Sequence, residues 1–306
     1  MTGIFEDFEK FNEAVANLDQ KWNAASAKAV FLVSPDYFRL ESECAGDNEY
    51  MDLGLEVDVQ KALYQHSQLV QAIKSVGLPA IVFPGIKESA DAVFPNNVYA
   101  TTADRIIVGR MFHAVRQEEA KRKDIKGLFT QIVGKELYDL SQRDLVTELT
   151  GPYIIDRARG IGFCGMSKRI NKSGLAAMHD AFEMNCSLEF PLVETEYHTN
   201  VVMSVLAGRA CVIHMGSIAK PGLDKVLEKI YPQKVMYLND EEKEAFAGNC
   251  IALTNKDVFM SQTGVDALSE KNSHLLQEWG FELHGIDVSE IEKAGGSLRC
   301  MVAEIY

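Results

Sequence analysis

Five polar residues recur along this chain at almost constant intervals, and this spacing limits the folds that the chain can adopt. Successive members lie 50 or 51 residues apart, and four of the five stand just ahead of an apolar run of β-strand character. In a protein built of repeats, equivalent positions recur at the length of one unit. The spacing therefore predicts five structural repeats, each of which brings one polar residue to a common centre. The five residues are Asn97, Glu148, His198, Asn249 and Cys300.

Between these positions the apolar pattern repeats the order strand, strand, helix, strand. In the clearest unit, residues 201–206 and 210–215 alternate as a hairpin around a short Ala-Gly turn. Residues 221–231 then have helical periodicity, and residues 235–238 form a short apolar run. The sequence thus predicts ββαβ modules.

The last module is divided between the two ends of the chain. Residues 299–305 supply its first strand, while residues 29–33, 57–76 and 80–83 read as strand, helix and strand. A ring that is closed by its own ends has no open sheet edges. We therefore predict one α/β domain over residues 1–306, a five-bladed, pseudo-symmetric α/β propeller, with residues 1–28 as an N-terminal helical extension.

Two segments interrupt this regular pattern. Residues 34–55 are polar and irregular, and this length is typical of a functional loop or lid. Residues 117–137 are rich in charge, and their pattern predicts a long solvated helix.

Composition excludes several classes of function. The net charge of −13 argues against nucleic acid and anionic membranes as partners. No apolar run is long enough for a membrane span, and the N-terminus lacks the pattern of a signal peptide, so we expect a cytoplasmic protein. The six cysteines form no CxxC pair and no zinc-type cluster with histidine, so no metal is expected. The GxGxxG match at 160–165 lies within a predicted hairpin, which argues against a dinucleotide, and we expect no cofactor.

Three of the five recurring residues have the chemistry of covalent catalysis. Taken singly, a cysteine near the chain end or a lone histidine is most often structural. If equivalent positions converge on one axis, however, Cys300, His198 and Glu148 meet there. A thiol nucleophile, an imidazole base and a carboxylate are the groups that attack on a planar carbon requires. Gly295 and Gly296, just before the cysteine, either let a substrate approach the backbone or form an ordinary tight turn.

Four short motifs carry a resemblance to a known superfamily. They resemble motifs of the amidinotransferase, or guanidino-modifying, enzymes (penteins), and cover nearly all of residues 29–306. These enzymes include arginine deiminases, dimethylarginine dimethylaminohydrolases, glycine amidinotransferase and succinylarginine dihydrolase. The likeness is greatest to the bacterial arginine-deiminase-related, citrulline-utilising hydrolases. The motifs are Phe94-Pro95-Asn96-Asn97, Tyr197-His198-Thr199-Asn200-Val201-Val202-Met203, Phe246-Ala247-Gly248-Asn249 and Gly295-Gly296-Ser297-Leu298-Arg299-Cys300-Met301.

The resemblance implies a five-bladed α/β propeller and a cysteine mechanism. Cys300 is expected to attack the guanidino or ureido carbon and form a covalent intermediate. His198 would protonate the leaving amine and then activate water, and Glu148 would bind the substrate nitrogens. Leu149 departs from the family pattern, which has glycine after this glutamate.

The resemblance also implies a set of substrate-binding residues. Arg116 matches an arginine that holds the substrate carboxylate, which suits a bidentate guanidinium. Asn97 and Asn200 stand where arginine deiminases carry aspartates, so the site has fewer charges to compensate a guanidinium ion. This favours a neutral ureido group such as that of citrulline, although the choice between citrulline and arginine-like molecules stays open. Asn249 and Gly296 complete the expected binding residues.

We therefore expect a cofactor-free cysteine hydrolase of C–N bonds, whose partner is a small citrulline-like or arginine-like amino acid. One alternative is an amidinotransferase, in which an amine instead of water resolves the intermediate. The other is a non-catalytic arginine or citrulline binder. The oligomeric state is left open, with a homodimer among the options.

Overall fold

The computed structural model describes residues 2–18 and 24–306. Within these residues the strands form five separate sheets. The strands are β1 (Gly3–Phe5), β2 (Ala29–Val33), β3 (Ala80–Phe83), β4 (Tyr99–Thr101), β5 (Arg105–Val108), β6 (Glu136–Asp139), β7 (Tyr153–Asp156), β8 (Ile161–Met166), β9 (Cys186–Pro191), β10 (Met203–Leu206), β11 (Ala210–Ile213), β12 (Val235–Tyr237), β13 (Ile251–Ala252), β14 (Asp257–Ser261), β15 (Glu282–Ile286) and β16 (Ala303–Ile305).

Helices of 4 to 17 residues lie between these strands in the chain. The α-helices are α1 (Phe8–Ala16), α2 (Ser42–Ala45), α3 (Val59–Ser75), α4 (Ala114–Gln117), α5 (Lys123–Gly127), α6 (Lys172–Ala181), α7 (Thr199–Val202), α8 (Leu223–Ile230), α9 (Asp240–Glu244), α10 (Gln262–Ala267), α11 (Glu270–Glu278) and α12 (Ser289–Glu292). Short 3₁₀ turns cover Pro95–Asn97, Glu119–Lys121, Met215–Ser217 and Leu298–Met301, and Leu128–Ile132 is a π-helical turn. None of the helices in the described residues is both long and apolar enough to span a membrane.

The five sheets share one plan, which matches the predicted ββαβ module. In each sheet the first two strands are antiparallel and the third runs parallel to the second, as in β10, β11 and β12. Ala207 and Gly208 both have positive φ, 50° and 63°, the backbone of a two-residue hairpin turn that follows the strand twist. Helix α8 then provides the crossover that a parallel neighbour requires.

The C-terminal strand shares a sheet with two strands from the first third of the chain. Strand β16 pairs antiparallel with β2, with Glu304 opposite Val30, and β2 pairs parallel with β3. This confirms the predicted division of the last module. Buried apolar side chains of β2, among them Val30 and Leu32, enter the same core as Val302, which directly precedes β16.

The N-terminal segment belongs partly to a sheet. Strand β1 pairs parallel with β9 and adds a fourth strand to the sheet of β7, β8 and β9. Helix α1 follows, capped by the Asp7 side chain, and buries Phe11 against Phe163. The prediction of a helical extension over 1–28 is therefore right for α1 but missed β1. Its residues 1 and 19–23 lie outside the described residues.

The prediction of one long helix over 117–137 is wrong. The segment contains a 3₁₀ turn, helix α5 and the π-helical turn, followed by strand β6, which pairs parallel with β5. Gly134, at φ 82°, ends the helical part, since a residue with a side chain rarely adopts this backbone. The buried Lys135 then donates to the carbonyls of Thr102 and Ala103, which fixes the start of β6. Sequence periodicity missed these tertiary contacts.

The first strands of neighbouring sheets contact each other, as β7 does β10, β10 does β13 and β4 does β16. Each of the five recurring residues lies shortly before one of these strands. The fold therefore gives the five residues equivalent places near the same end of the inner strands: Asn97 before β4, Glu148 before β7, His198 before β10, Asn249 before β13 and Cys300 before β16.

Candidate active site

Cys300 lies in the 3₁₀ turn Leu298–Met301 and is buried. Its Sγ accepts hydrogen bonds from Asn249 Nδ2 at 3.4 Å and Asn200 Nδ2 at 3.5 Å. Burial raises the pKa of the Cys300 thiol, and the two amides oppose this shift only in part. The amides are therefore positioned to stabilise a thiolate, while the thiol itself is neutral in the free protein at pH 7.

Asn249 connects three of the predicted motifs. Besides contacting Cys300, its Nδ2 donates to the carbonyl of Asn200 at 2.8 Å. Its Oδ1 accepts from the backbone N–H of Arg299 at 2.9 Å. The side chain thus uses both ends of its amide to hold the cysteine turn against the Asn200 segment, as expected for a buried amide.

His198 and Glu148 form a buried pair. His198 Nε2 lies 2.7 Å from Glu148 Oε2, and both side chains are fully buried. The pKa of His198 is lowered by burial, which outweighs the carboxylate, so the imidazole is neutral at pH 7. Despite burial, the pKa of Glu148 is well below its usual range, chiefly because of the Arg169 guanidinium. His198 Nδ1 has no hydrogen-bond partner and is free to bind another group.

The glycine of the Glu-Leu-Thr-Gly motif makes this pair possible. A Cβ on Gly151 would lie 2.6 Å from the His198 ring, so a larger residue would displace the imidazole. Leu149, which departs from the family pattern, has φ 43°, a conformation that favours glycine. Its side chain is buried in the same core as Tyr153, and this packing offsets the strain.

A cavity with about 310 Å³ of empty space opens beside Cys300. Of the predicted binding residues, Asn97, Arg116 and Gly296 line it. Asn200 and Asn249 do not line it but contact the Cys300 thiol. Asn97 Oδ1 is buried without a partner. The cavity is lined by Cys44, Asn48, Met51, Asp91, Phe94, Asn97, Arg116, Arg169, Tyr197, Ala294, Gly296 and Cys300.

The two glycines before Cys300 differ in their surroundings. Gly295 has φ 69°, and a Cβ there would lie 2.5 Å from the Asn48 amide, so a turn and close packing account for it. Gly296 lines the cavity, and a Cβ there would lie 3.1 Å from the Phe94 ring. Of the two interpretations of this pair, the ordinary turn fits Gly295 and close approach to the cavity fits Gly296.

Arg116 lies in the cavity wall in a bidentate ion pair. Its Nε and Nη2 each donate to Glu119 at 2.9 Å, and Nη2 also reaches the carbonyls of Asp91 and Phe94. The pair is buried. It holds the guanidinium rigidly and leaves Nη1 outside these bonds.

Sequence reasoning missed the second arginine of the cavity. Arg169 donates twice to Asp47 at 2.8 Å and also to Glu148 at 3.1 Å. Asp47 in turn bonds His113 at 2.8 Å. The predicted 34–55 loop is thereby attached to the pair of His198 and Glu148. Neither Arg169 nor Asp47 belongs to the 50-residue repeat, so the spacing gave no signal for them.

Asp91 was missed as well. It is buried, its Oδ1 has no partner, and burial raises the pKa of its carboxyl. The sequence does carry a signal here, a single aspartate within the apolar run Ala-Asp-Ala-Val-Phe. Because burial favours the neutral form of this carboxyl, Asp91 does not by itself restore the negative charge that Asn97 and Asn200 remove.

We predict that alkylation of Cys300 by iodoacetamide is slow at neutral pH and still accelerates at about pH 9. The thiolate is the reactive form, and a raised pKa moves its appearance above the ordinary value of about 8.5. Mass spectrometry of the Cys300 peptide across a pH series measures the rate, with free cysteine as the reference. A rate that levels off below pH 7 would show a thiolate already present in the free protein.

Comparison with known proteins identifies the family of the chain. A family model described as N,N dimethylarginine dimethylhydrolase, eukaryotic, matches residues 34–306. The chain therefore belongs to this family, within the pentein superfamily of arginine- and guanidino-modifying enzymes. Its relatives are hydrolases of guanidino groups.

Two curated relatives show how far the likeness extends. The uncharacterized protein YkgA of Bacillus subtilis (strain 168) is 24% identical over 276 residues, which cover 89% of each chain. The bifunctional arginine dihydrolase/ornithine cyclodeaminase ArgZ of Synechocystis is 25% identical, over 90% of this chain but 37% of ArgZ. This chain thus corresponds to one part of ArgZ.

Solved structures show the same fold. The N-terminal domain of ArgZ, in a mutant form bound to substrate, has a TM-score of 0.79 at 21% identity, covering 90% of this chain and 97% of that one. A mutant dimethylarginine dimethylaminohydrolase, as an adduct with S-methyl-L-thiocitrulline, has a TM-score of 0.72 at 19% identity, covering 91% and 99%.

Proposed function

We propose that this protein is a cofactor-free cysteine hydrolase of the guanidino or ureido C–N bond in an arginine-like or citrulline-like amino acid. One observation carries the proposal. A thiol held by two amides lines one cavity together with two guanidinium groups and a buried carboxyl, and one of these guanidinium groups, that of Arg169, donates to Glu148 of the buried imidazole–carboxylate pair. The guanidinium groups suit the carboxylate end of such a substrate, and the carboxyl and amide oxygens suit the N–H groups at its other end.

The proposed chemistry begins at Cys300. Its thiol loses a proton, and the sulfur attacks the planar guanidino or ureido carbon. His198, protonated in the same step, gives the proton to the departing nitrogen, so that ammonia leaves and a covalent adduct remains. Water, deprotonated by His198, then attacks the adduct carbon and releases the thiol. Glu148 orients the imidazole and accepts from the substrate N–H groups.

The proposed substrate orientation follows from charge. Arg116 and Arg169 are the cations of the cavity, and the Nη1 of Arg116, which lies outside its bonds to Glu119, can donate to the substrate carboxylate. Asp91 and the unpartnered Asn97 Oδ1 are acceptors for substrate N–H groups. A cationic ligand would also compensate the buried Asp91 carboxylate. The relative ArgZ, a bifunctional arginine dihydrolase/ornithine cyclodeaminase, supports an arginine-like substrate.

Product analysis tests the proposal against its alternatives. The purified protein is incubated with arginine, citrulline or dimethylarginine, with and without glycine as an acceptor, and the products are identified. Release of ammonia, or of dimethylamine from dimethylarginine, without an acceptor supports the hydrolase. Product formed only with glycine would identify an amidinotransferase. Thermal stabilisation by arginine or citrulline without any product would identify a binder.

We predict that Asn97→Asp shifts preference from citrulline towards arginine. A carboxylate at this cavity position would attract the guanidinium of arginine, whereas the ureido group of citrulline is neutral and is not attracted in this way. The ratio of kcat/KM for arginine to kcat/KM for citrulline should therefore rise about tenfold. Parallel steady-state kinetics with the two substrates measure the ratio. Asn97→Ala controls for loss of the amide, and an equal ratio in all three proteins would refute a role for position 97 in selectivity.

We also infer that residues 1–306 form one domain, in which the five sheets close into a five-bladed ring. Two observations support this inference: the five sheets share one plan, and the C-terminal strand β16 pairs with β2. A single domain closed in this way should unfold in one cooperative transition. Two separated transitions in calorimetry would argue against it.

A further inference from the structure

A second cavity, which shares no lining residue with the first, lies among the inner strands. It has about 540 Å³ of empty space. Residues of β7, β10, β13 and β16 line it, whereas the proposed catalytic residues stand before those strands. Nothing in the proposed hydrolase mechanism uses this cavity.

Arg157 is the notable side chain of this second cavity. It is 5% exposed, and its Nη1 is buried without a hydrogen-bond partner. Its Cζ lies 4.1 Å from the ring centroid of Tyr306 and 4.9 Å from that of Phe182. Aromatic faces attract the charge of a guanidinium, but they do not accept the hydrogen bonds of its N–H groups.

The other buried arginines of the described chain are compensated differently. Each of them is paired with a carboxylate: Arg116 with Glu119, Arg122 with Asp124 and Arg169 with Asp47 and Glu148. Burying a guanidinium without an acceptor costs several kcal/mol in general, so such a group normally has a partner.

The charged neighbours within the second cavity do not supply that partner. Arg299 also lines it, and its Nη2 is paired with Glu304 at 3.0 Å. Glu304 also accepts from the Tyr306 hydroxyl at 2.8 Å. This arginine and this glutamate offset each other, and among the described residues the charge of Arg157 remains without a carboxylate within ion-pair distance.

We propose that the second cavity binds a small oxyanion, a carboxylate or a phosphate, through the Arg157 guanidinium. The planar fork of a guanidinium matches two oxygens of such an anion with parallel N–H bonds. The Tyr306 and Phe182 rings hold the fork in place. This binding site is separate from the proposed catalytic function and does not depend on it.

Thermal unfolding of the full-length protein tests the site. Sodium phosphate and sodium acetate are titrated at constant ionic strength, with chloride as the reference salt. A bound anion stabilises the folded state by mass action, so the wild type should show a saturable rise in Tm with at least one of the two. Whichever of them produces the rise identifies the ligand as phosphate or carboxylate.

Two variants locate the response. Arg157→Met keeps an apolar stem between the rings and removes the charge, so the saturable rise should disappear. Arg143→Met is the matched control, because Arg143 also stacks on an aromatic ring, that of Tyr138, but is exposed and outside the cavity. An equal rise in all three proteins, or none in the wild type, would overturn the proposal.

Crystals of the wild type grown with arsenate keep the proposal testable if Arg157→Met fails to fold. Arsenate has the shape of phosphate and gives an anomalous signal. A peak beside the Arg157 guanidinium supports the site. An anomalous map whose peaks lie only at other arginines would overturn it.

Discussion

Cys300→Ser is expected to lower kcat by about 10⁴-fold or more with any substrate that the wild type turns over. A serine hydroxyl has a much higher pKa than a thiol, so the same histidine activates it far less, and the neighbouring Asn200 and Asn249 amides are not bases. Substrate binding should survive, since the cavity walls are unchanged. Steady-state kinetics and ligand-induced shifts in Tm measure the two effects separately.

The matched control is Cys211→Ala. Cys211 is also a buried thiol, but it lies in β11 within the core and outside the cavity. Its replacement should cost stability of about 1 kcal/mol without altering kcat. Full turnover by Cys300→Ser would remove the proposed covalent mechanism, whatever the behaviour of Cys211→Ala.

Arg169→Met is expected to give the largest loss of stability, about 3–5 kcal/mol. The change leaves the Glu148 and Asp47 carboxylates without their shared guanidinium, and both lie in a largely buried network. In a chain of this size the loss lowers Tm by about 10 °C. Chemical denaturation and calorimetry measure it. Arg39→Met, which removes an exposed pair with Glu41 at 3.8 Å, should cost less than about 1 kcal/mol.

The loss in Arg169→Met should shrink as the pH falls. The pKa values of Glu148 and Asp47 are lowered in the folded protein, with Arg169 among the causes. Their contribution to stability is therefore present above the unfolded pKa of about 4 and is lost as pH falls further. Wild type and variant should converge in acid. Destabilisation that is constant down to about pH 3 would show that lost packing, not charge, is responsible.

Much of the architecture could be predicted from the sequence because it is local and repeated. The period-2 and period-3.6 patterns and the Ala207-Gly208 turn reflect contacts within one module, and each module repeats them. The constant interval also predicted that Cys300, His198 and Glu148 would meet. His198 and Glu148 lie 2.7 Å apart, whereas the side-chain contacts of Cys300 are with Asn200 and Asn249.

The parts that sequence reasoning missed depend on contacts between distant segments. Strand β6 begins at the buried Lys135, whose partners lie more than 30 residues away. Arg169 is fixed by Asp47, 122 positions earlier. Loop residues of this kind have no periodicity, so their position follows only from the packed structure. Asp91 was missed for the same reason, since it lies outside the repeat.

Trapping of a covalent adduct tests the central claim most directly. Wild-type protein is mixed with arginine or citrulline labelled at the guanidino or ureido carbon, quenched in acid during turnover, and digested for mass spectrometry. We expect the label on the peptide that contains Cys300, in an adduct that retains the substrate chain after loss of ammonia. We expect no label on this peptide in Cys300→Ser. Ammonia release at full rate with no label on Cys300 would contradict it.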